Sequence, residues 1–325
     1  MRTATHASFG TPSDVLTITE KPLPTPGAGE IRVKMVMSSI HNHDLLTVQG
    51  VYGYKPELPA VAGSEAVGLV DALGEGVTHL AVGQRIAMSG IRGAWAEYFV
   101  GPAASAIPLP EAISDEAGSQ LVSMPLSALV LLEFAGLKQG DWAIQNAATG
   151  AVAKVLAMIA KARGIHVINL VRRADAVSEL NGLGIDNVIS TADADWKDKV
   201  RALAGGAPIK AAVDGVGGPE ANDLLSLIGE NGLFVSFGLM SGKPLELSAG
   251  DLIFKQVTVK GFWLAKIMQT TPRETIGRWF GELLGLVASG AVTLQDGGIY
   301  DLADVKDAVA AAAKPGRPGK ILIRA

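Results

Sequence analysis

Residues 142–171 constrain the fold more than any other stretch, because they join a buried strand, a turn of small residues, an amphipathic helix and a second strand. The first strand begins at Trp142, and the turn that follows it runs from Asn146 to Gly150. Apolar residues then recur at positions 152, 155, 156 and 159, which is the spacing of one helix face. Such a turn points free backbone N–H groups and the positive end of a helix dipole at one place, which suits a pyrophosphate. We therefore predict a dinucleotide-binding unit.

The predicted cofactor contacts of this unit come from the turn and from the start of the helix. They are Asn146, Ala148, Thr149, Gly150, Ala151 and Val152. Related turns usually carry glycine where this chain has Ala151 and Ala153, and alanine lacks the positive φ values open to glycine. A strand–helix unit that binds no ligand is therefore the competing interpretation of the turn taken alone.

Two arginines, Arg172 and Arg173, follow the second strand of this unit directly. An NAD site places an acidic residue near this strand end for the ribose 2′-hydroxyl, whereas an NADP site uses arginine for the 2′-phosphate. No Asp or Glu occurs here before Asp175, and guanidinium groups match phosphate well. The pair predicts NADPH as the cofactor, with a solvated arginine pair capping the strand as the alternative.

Composition excludes several classes of protein. The 325 residues exceed the usual size of one domain, and no apolar run approaches the ~20 residues that span a bilayer. A net charge of −4 without a basic tract argues against nucleic acid as a partner. The first residues lack the apolar core of a signal peptide, and the absence of cysteine excludes disulfides, thiolate zinc sites and cysteine nucleophiles. We expect a cytoplasmic protein that acts on a small molecule.

The pattern along the chain predicts an α/β fold with two parts. Up to about residue 115 the chain is rich in turns and short strands, for example residues 31–37, which alternate in polarity as a half-exposed strand does. From about residue 120, strands alternate with helices, which predicts a doubly wound parallel sheet. The C-terminal part is mixed again and ends in a strand over Lys320–Ile323.

Three glycine-rich segments carry a family resemblance. Pro59–Gly68, Gly74–Val77 and Val82–Ile86 closely resemble a signature of the medium-chain dehydrogenase/reductase superfamily, with Gln84 where that superfamily usually has Asp. The resemblance implies a GroES-like catalytic domain, split between residues 1–120 and 265–325, around a Rossmann domain over residues 121–264. It also implies a homodimer that pairs edge strands of the Rossmann sheets.

Zinc-dependent members of that superfamily place ligands at the positions that match His41 and Ser64, together with a cysteine. Serine does not replace a histidine ligand, and this chain has no cysteine. His41, His43 and Glu65 offer an alternative metal site in principle, but we interpret them as a polar cleft without metal. The resemblance is therefore to the zinc-free branch.

Within the zinc-free branch, three further regions resemble mitochondrial-type 2-enoyl thioester reductases. The first is the tyrosine loop over Gln49–Tyr54 followed by Pro56–Pro59, and the second is the NADPH-selecting strand end over Ile168–Arg172. The third, beside the nicotinamide and substrate tunnel, combines Asp251–Lys255 with Gly261–Leu264. The chain departs from that family at Ala151, at Ala153, and at His43, where the family tends to have proline or serine.

The resemblance implies roles for individual residues. Tyr52 would donate a hydrogen bond or a proton to the substrate enolate, with Tyr54 as its positional rival and simple loop packing as the alternative for either. Asn42 would place an amide near the nicotinamide, or else it fixes a turn. Gly238, Phe262 and Trp263 would lie beside the cofactor, although Trp263 could equally be a core residue. Lys320 would reach a cofactor phosphate, or else it is a solvated lysine at a strand end.

These assignments predict an NADPH-dependent reductase of a carbon–carbon double bond conjugated to a carbonyl, with trans-2-enoyl thioesters as the preferred substrates. An NADPH quinone or enone reductase is the first alternative, and a non-catalytic NADPH-binding sensor is the second. A thioester carrier would need basic residues at the entrance of the site to meet its phosphates. The candidates are Lys55, Lys255, Lys266 and Arg273.

Overall fold

A computed structural model describes residues 1–325 and divides the chain into two compact units, residues 1–123 with 293–325 and residues 124–292. The strands are β1 (Arg2–His6), β2 (Leu16–Glu20), β3 (Glu30–Ser39), β4 (Ala60–Val61), β5 (Glu65–Leu73), β6 (Arg85–Ser89), β7 (Tyr98–Pro102), β8 (Ile107–Pro108), β9 (Trp142–Gln145), β10 (His166–Val171), β11 (Val188–Ser190), β12 (Ile209–Asp214), β13 (Leu233–Ser236), β14 (Thr258–Gly261), β15 (Asp296–Asp301) and β16 (Lys320–Arg324).

Twelve α-helices connect these strands. They are α1 (Pro12–Val15), α2 (Asn42–Gln49), α3 (Asp115–Gly118), α4 (Ser123–Phe134), α5 (Ala151–Ala162), α6 (Asp175–Gly182), α7 (Trp196–Ala204), α8 (Glu220–Leu227), α9 (Ala249–Lys255), α10 (Leu264–Thr270), α11 (Arg273–Ala288) and α12 (Val305–Ala313). No helix combines the length and the apolar composition that crossing a membrane requires.

The first unit is built from two mostly antiparallel sheets. One has the order β2-β1-β4, and the other has the order β15-β16-β3-β5-β6-β8, with β7 also paired to β3. Along β3, Ile31, Val33 and Met35 are buried while Lys34 is exposed, because successive side chains of a strand point to opposite faces. The predicted half-exposed strand is confirmed. Trp95 is fully buried in the core that these strands enclose.

The second unit contains one six-stranded sheet of order β11-β10-β9-β12-β13-β14, and every neighbouring pair in it is parallel. The predicted doubly wound parallel sheet is therefore confirmed. The strand order runs from β9 to β11 on one side and from β12 to β14 on the other. Ligands of such sheets bind at the carboxyl ends of the strands where the order reverses, which here lies between β9 and β12.

The boundary between the units after residue 292 differs from the predicted start of the C-terminal part at residue 265. Helices α10 and α11 belong to the second unit. On α11, Leu283 is buried and Glu282 lies 2.7 Å from the guanidinium of Arg163, which also lies 2.7 Å from Glu133 on α4. These long-range contacts connect the helix to the parallel sheet unit, and local patterning does not reveal them.

Candidate active site

The turn between β9 and α5 places an uncapped helix N-terminus beside the point where the strand order reverses. Gly150 precedes the helix with extended backbone angles, and no side chain accepts a hydrogen bond from the first-turn amides. Those amides have no partner inside the helix, so they are available to an anion. Thr149 and Gly150 are exposed, whereas Ala148 and Val152 are buried in the packing around the turn.

The alanines of this turn fit its geometry. Ala151 and Ala153 are ordinary helical residues of α5, so neither requires the positive φ that alanine disfavours. The left-handed residue is Ala147, with a φ of 50°, two positions before Thr149, the first exposed residue of the turn. The backbone therefore forms the turn without the missing glycines, at the cost of a strained alanine.

The side chain of Asn146 connects two strand ends of the sheet. Its amide donates to Oδ1 of Asp214 at the end of β12, and its Oδ1 accepts from the N–H of Gly215 at 2.7 Å. Asp214 is fully buried and also accepts from the N–H groups of Val216 and Gly217. These bonds engage both the amide nitrogen and the oxygen of the Asn146 side chain. A contact between that side chain and a cofactor stays a prediction.

The two arginines after β10 are in different environments. Arg172 is exposed and its guanidinium makes no hydrogen bond or ion pair within the chain. Arg173 is also exposed, but its Nη1 lies 2.8 Å from Oδ2 of Asp175 and its Nη2 lies 3.9 Å from Oε2 of Glu179. Arg172 is therefore the guanidinium that is free to meet a phosphate.

A cavity of about 380 Å³ opens at the carboxyl ends of β13 and β14. Its lining includes Ser236, Phe237, Gly238, Leu239, Gly261, Phe262, Trp263, Lys266 and Ile267. Phe262 is buried between the rings of Phe134 and Phe237, at centroid distances of 5.5 and 5.8 Å. Trp263 is 51% exposed, so it is a wall of the cavity and not a core residue. Three residues predicted from two segments of the chain, namely Gly238, Phe262 and Trp263, thus line one cavity.

The two tyrosines of the predicted loop point to different neighbours. Gly50 ends α2 with a φ of 76°, and a side chain there would collide with the ring of Phe9. The loop that begins at this glycine stacks the ring of Tyr52 on His43, with centroids 5.7 Å apart. Tyr54 instead lies under the guanidinium of Arg92, whose Cζ is 4.7 Å from the ring centroid. Only Tyr52 of the pair lies against a polar cluster.

That cluster contains a hydrogen-bonded row of three side chains, which we call the His43–Ser64–Asp44 chain. Nε2 of His43 lies 2.8 Å from Oγ of Ser64, and Ser64 donates to Oδ1 of Asp44 at 2.6 Å. The other carboxylate oxygen of Asp44 accepts from the backbone N–H of His41 at 2.9 Å, at the start of α2. Sequence analysis missed this chain, because its members come from segments twenty residues apart.

Next to the His43–Ser64–Asp44 chain, His41 and Glu65 form a fully buried pair, with Nε2 and Oε2 2.8 Å apart. Glu65 also accepts from the backbone N–H groups of Val122 and Ser123, at 2.6 and 2.9 Å. Burial raises the pKa of Glu65 to about 7 and lowers the pKa of His41 well below its ordinary value. A largely uncharged pair is the state that such an environment favours.

Asn42, the first residue of α2, is exposed, and its side-chain amide makes no hydrogen bond within the chain. A side chain that fixed a turn would bond to nearby backbone, so this alternative for Asn42 has no support in the structure. Its amide is free to meet a ligand.

Comparisons with known proteins decide the family. A model of the alcohol dehydrogenase GroES-like domain matches residues 27–111, and a model of the zinc-binding dehydrogenase domain matches residues 151–279. The mitochondrial enoyl-[acyl-carrier-protein] reductase of Caenorhabditis elegans is 34% identical over 83% of this chain and 79% of its own length, and the human protein of that name is 30% identical over 97% and 86%. The chain belongs to the medium-chain dehydrogenase/reductase superfamily.

Solved structures of this superfamily share the whole fold. Escherichia coli quinone oxidoreductase complexed with NADPH matches with a TM-score of 0.89 at 27% identity, over 100% of both chains. A mitochondrial 2-enoyl thioester reductase heterodimer from Candida tropicalis matches with a TM-score of 0.87 over 100% of this chain and 99% of its own, and at 24% identity it supports the fold alone. The predicted pairing of a GroES-like domain with a Rossmann domain is confirmed.

This member of the medium-chain superfamily does not fit catalytic zinc, despite the description of one matching family model. The histidine ligand position carries Ser64, whose oxygen is already bonded to His43 and Asp44, and Nε2 of His41 faces Glu65. No group of three or more His, Cys, Asp or Glu side chains converges in a way that could hold a metal ion.

The predicted basic residues of this superfamily member differ in availability. Lys320 is half-buried, and burial lowers its pKa to about 8 while Asp44 and Glu65 act against that shift, so it is not a freely solvated strand-end lysine. Lys255 lies 2.8 Å from Asp251 and donates to the carbonyl of Ser226. The remaining entrance candidates make no ion pair within the chain, namely Lys55, Lys266 and Arg273.

Proposed function

We propose that the chain reduces trans-2-enoyl thioesters with NADPH, with Tyr52 as the donor to the enolate. At the coarser level, it is an NADPH-dependent oxidoreductase of the medium-chain dehydrogenase/reductase superfamily. The single observation that carries the finer proposal is the position of Tyr52, which lies against the His43–Ser64–Asp44 chain while Tyr54 does not. Relatives at 30–34% identity that are named enoyl-[acyl-carrier-protein] reductases support it.

The residues of the Rossmann unit fit NADPH. The uncapped amides at the start of α5, beside Thr149, Gly150 and Ala151, suit the pyrophosphate, and the unpaired guanidinium of Arg172 suits the 2′-phosphate. Phe262 and Trp263 give the cavity an aromatic wall against which a cofactor ring can pack. When bound, the cofactor supplies a hydride to the β-carbon of the enoyl group.

The other half of the reaction needs a donor for negative charge on the thioester carbonyl and a proton for the α-carbon. The phenol of Tyr52 can donate to that oxygen or deliver the proton, and the free amide of Asn42 offers a second donor. Donors that are already fixed in place stabilise developing charge without reorganising during the reaction. Asn42 is the first residue of α2, whose start is capped by Asp44, and Tyr52 follows the end of that helix at Gly50.

A quinone or enone reductase is the second candidate, and the resemblance to E. coli quinone oxidoreductase favours it. The two activities differ in the carrier, because a thioester substrate brings phosphates to the entrance of the site. Lys266 lines the cavity and is free of ion pairs, as a phosphate contact would require. This observation supports the thioester over the quinone.

We also infer a homodimer in the cytoplasm. Strand β14 is the edge of the parallel sheet, all four of its residues are exposed, and its outer edge has no partner within the chain. Exposed apolar side chains lie nearby in the sequence, among them Ile253 and Phe254 at 60% and 83% exposure. An unpaired edge with apolar neighbours is a template for a second strand, and a second copy of the chain supplies one. Fluorescence of a tagged chain in cells tests the location.

Turnover of NADPH with matched variants tests the proposed activity. NADPH oxidation is followed optically with crotonyl-CoA, a longer trans-2-enoyl-CoA and a 1,4-quinone, each repeated with NADH. Tyr54→Phe is the control for Tyr52→Phe, since both remove one hydroxyl from the same loop. Enoyl-CoA turnover that requires NADPH and collapses only in Tyr52→Phe supports the proposal. Turnover of the quinone alone supports the second candidate, a quinone or enone reductase. Tight binding of NADPH without turnover of any substrate supports a sensor.

A further inference from the structure

The His43–Ser64–Asp44 chain has a defined direction. Ser64 has a single O–H, and it donates this proton to Oδ1 of Asp44 at 2.6 Å. Oγ of Ser64 must therefore accept from Nε2 of His43, at 2.8 Å, so that this nitrogen carries the proton. The other ring nitrogen of His43, Nδ1, makes no hydrogen bond within the chain.

The ring of His43 contacts two other rings. It stacks on His41 with centroids 5.0 Å apart and on Tyr52 with centroids 5.7 Å apart. Nε2 of His43 is occupied by Ser64. The hydroxyl of Tyr52 makes no hydrogen bond within the chain, so it is free to donate to an anionic oxygen.

We propose that His43 is a positioning residue for Tyr52, an inference that rests on the proposed function. Asp44 and Ser64 fix the tautomer and the orientation of the imidazole, and the imidazole in turn holds the Tyr52 ring so that its hydroxyl is directed for the reaction. A hydrogen bond to a charged acceptor is about twice as strong as a neutral one, which makes Asp44 an effective anchor for the chain.

Helix α2 holds Asp44, His43 and Tyr52 in this arrangement. Asp44 binds the backbone at the start of α2 through its second oxygen, while Tyr52 follows the end of the same helix after Gly50. His43 lies on this helix as well, so both the anchor and the ring that it orients are fixed to one short element. An aromatic residue needed only for packing would not require Ser64, a buried carboxylate or a fixed tautomer.

A double-mutant cycle tests whether His43 acts through Tyr52. Ser64→Ala and His43→Phe are each made in the wild type and in Tyr52→Phe, and kcat and KM are measured with the enoyl-CoA substrate. We expect Ser64→Ala to lower kcat roughly tenfold with little change in KM, and to have no further effect once the Tyr52 hydroxyl is absent. Ser64→Thr, which keeps the hydroxyl, retains kcat, and Ser289→Ala on the exposed end of α11 is the control. An equal loss in both backgrounds would overturn the inference.

A spectroscopic measurement decides the same point without a substrate. The protein is labelled with fluorotyrosine, and the Tyr52 resonance among the four tyrosines is identified by its absence in Tyr52→Phe. We expect Ser64→Ala to shift this resonance and to leave the other three in place. An unmoved Tyr52 resonance in a folded Ser64→Ala protein overturns the inference. If the wild type reduces no enoyl thioester, the proposed function fails, while the resonance still decides the positioning role.

Discussion

Nε2 of His41 and Oε2 of Glu65 lie 2.8 Å apart, and neither side chain has any contact with solvent. Glu65 accepts two further hydrogen bonds, from the backbone N–H groups of Val122 and Ser123, the last residues before the chain enters the parallel-sheet unit. These bonds favour the ionised carboxylate, but burial outweighs them and raises the pKa of Glu65 to about 7. The pair therefore gives stability a dependence on pH that a variant can isolate.

We expect the stability of the wild type relative to Glu65→Gln to fall as the pH rises from about 4.5 to about 7. The folded state keeps a proton on Glu65 that the unfolded chain loses near pH 4.5, so the folded state binds more protons in this interval. Thermal unfolding of both proteins between about pH 5 and pH 8 measures the difference. The gap in Tm should change by a few degrees in favour of Glu65→Gln. His41, whose pKa is lowered, contributes to both proteins, and a constant gap across the interval contradicts the prediction.

Arg172→Ala should weaken NADPH binding far more than Arg173→Ala does. The guanidinium of Arg172 is unpaired, whereas that of Arg173 already lies 2.8 Å from Asp175. Loss of a hydrogen bond to a charged group costs about 1.5–3 kcal/mol, which corresponds to roughly a 10- to 150-fold higher KM for NADPH. Values of kcat/KM for NADPH and NADH with each variant check this, and preference for NADPH should be lost only in Arg172→Ala. Equal effects of the two substitutions would show that the ion pair does not restrain Arg173.

Gly238→Ala should destabilise the protein, whereas Gly261→Ala should not. A Cβ at Gly238 would lie 2.3 Å from the carbonyl oxygen of Gly215, and backbone cannot rotate away as a side chain can. A Cβ at Gly261, at the end of the neighbouring strand β14, meets no atom within 4 Å. We expect a loss of about 1–3 kcal/mol for Gly238→Ala, measured by denaturant unfolding. Similar midpoints of denaturant unfolding for the two variants would mean that the backbone beside Gly238 shifts at no cost in stability.

Val259→Lys should convert the proposed dimer to a monomer. Val259 lies in the middle of the exposed edge strand β14, and charge on an edge strand opposes pairing with another chain. Leu203→Lys on α7 is the matched control, because both side chains are 38% exposed. Light scattering coupled to gel filtration gives the mass of each protein. A monomeric wild type, or a Val259→Lys protein that remains dimeric, excludes pairing through this edge.

Most of the parallel sheet was predictable from the sequence, because the local periodicity of apolar residues indicates its strands and helices. The strand at Trp142, the small-residue turn and the amphipathic face of α5 all lie within one short segment. The membership of α11 was not predictable, since its contacts with the sheet unit, among them the ion pair between Arg163 and Glu282, join residues more than a hundred positions apart. Periodicity describes a helix but not the partner on which it packs.

The residues of the candidate site were more predictable from the sequence than the contacts between their side chains. Spacing placed Tyr52 and Tyr54 on the same loop but could not tell them apart, because only the fold brings His43 to one and Arg92 to the other. The side chain of Asn146 lies where the turn was predicted, yet its bonds to Asp214 and Gly215 depend on the neighbouring strand. Side-chain partners that come from distant segments are set by topology, which a single sequence does not contain.

The left-handed backbone at Ala147 leaves a gain in stability open to this chain. At a φ of 50° a residue with a Cβ is strained by about 1–2 kcal/mol, whereas glycine adopts this angle without steric cost. Glycine adds less than about 1 kcal/mol of conformational freedom to the unfolded chain, so relief of the strain outweighs that loss. The turn therefore forms without glycine at its one left-handed position, and a search for nucleotide-binding turns that counts glycines would overlook it.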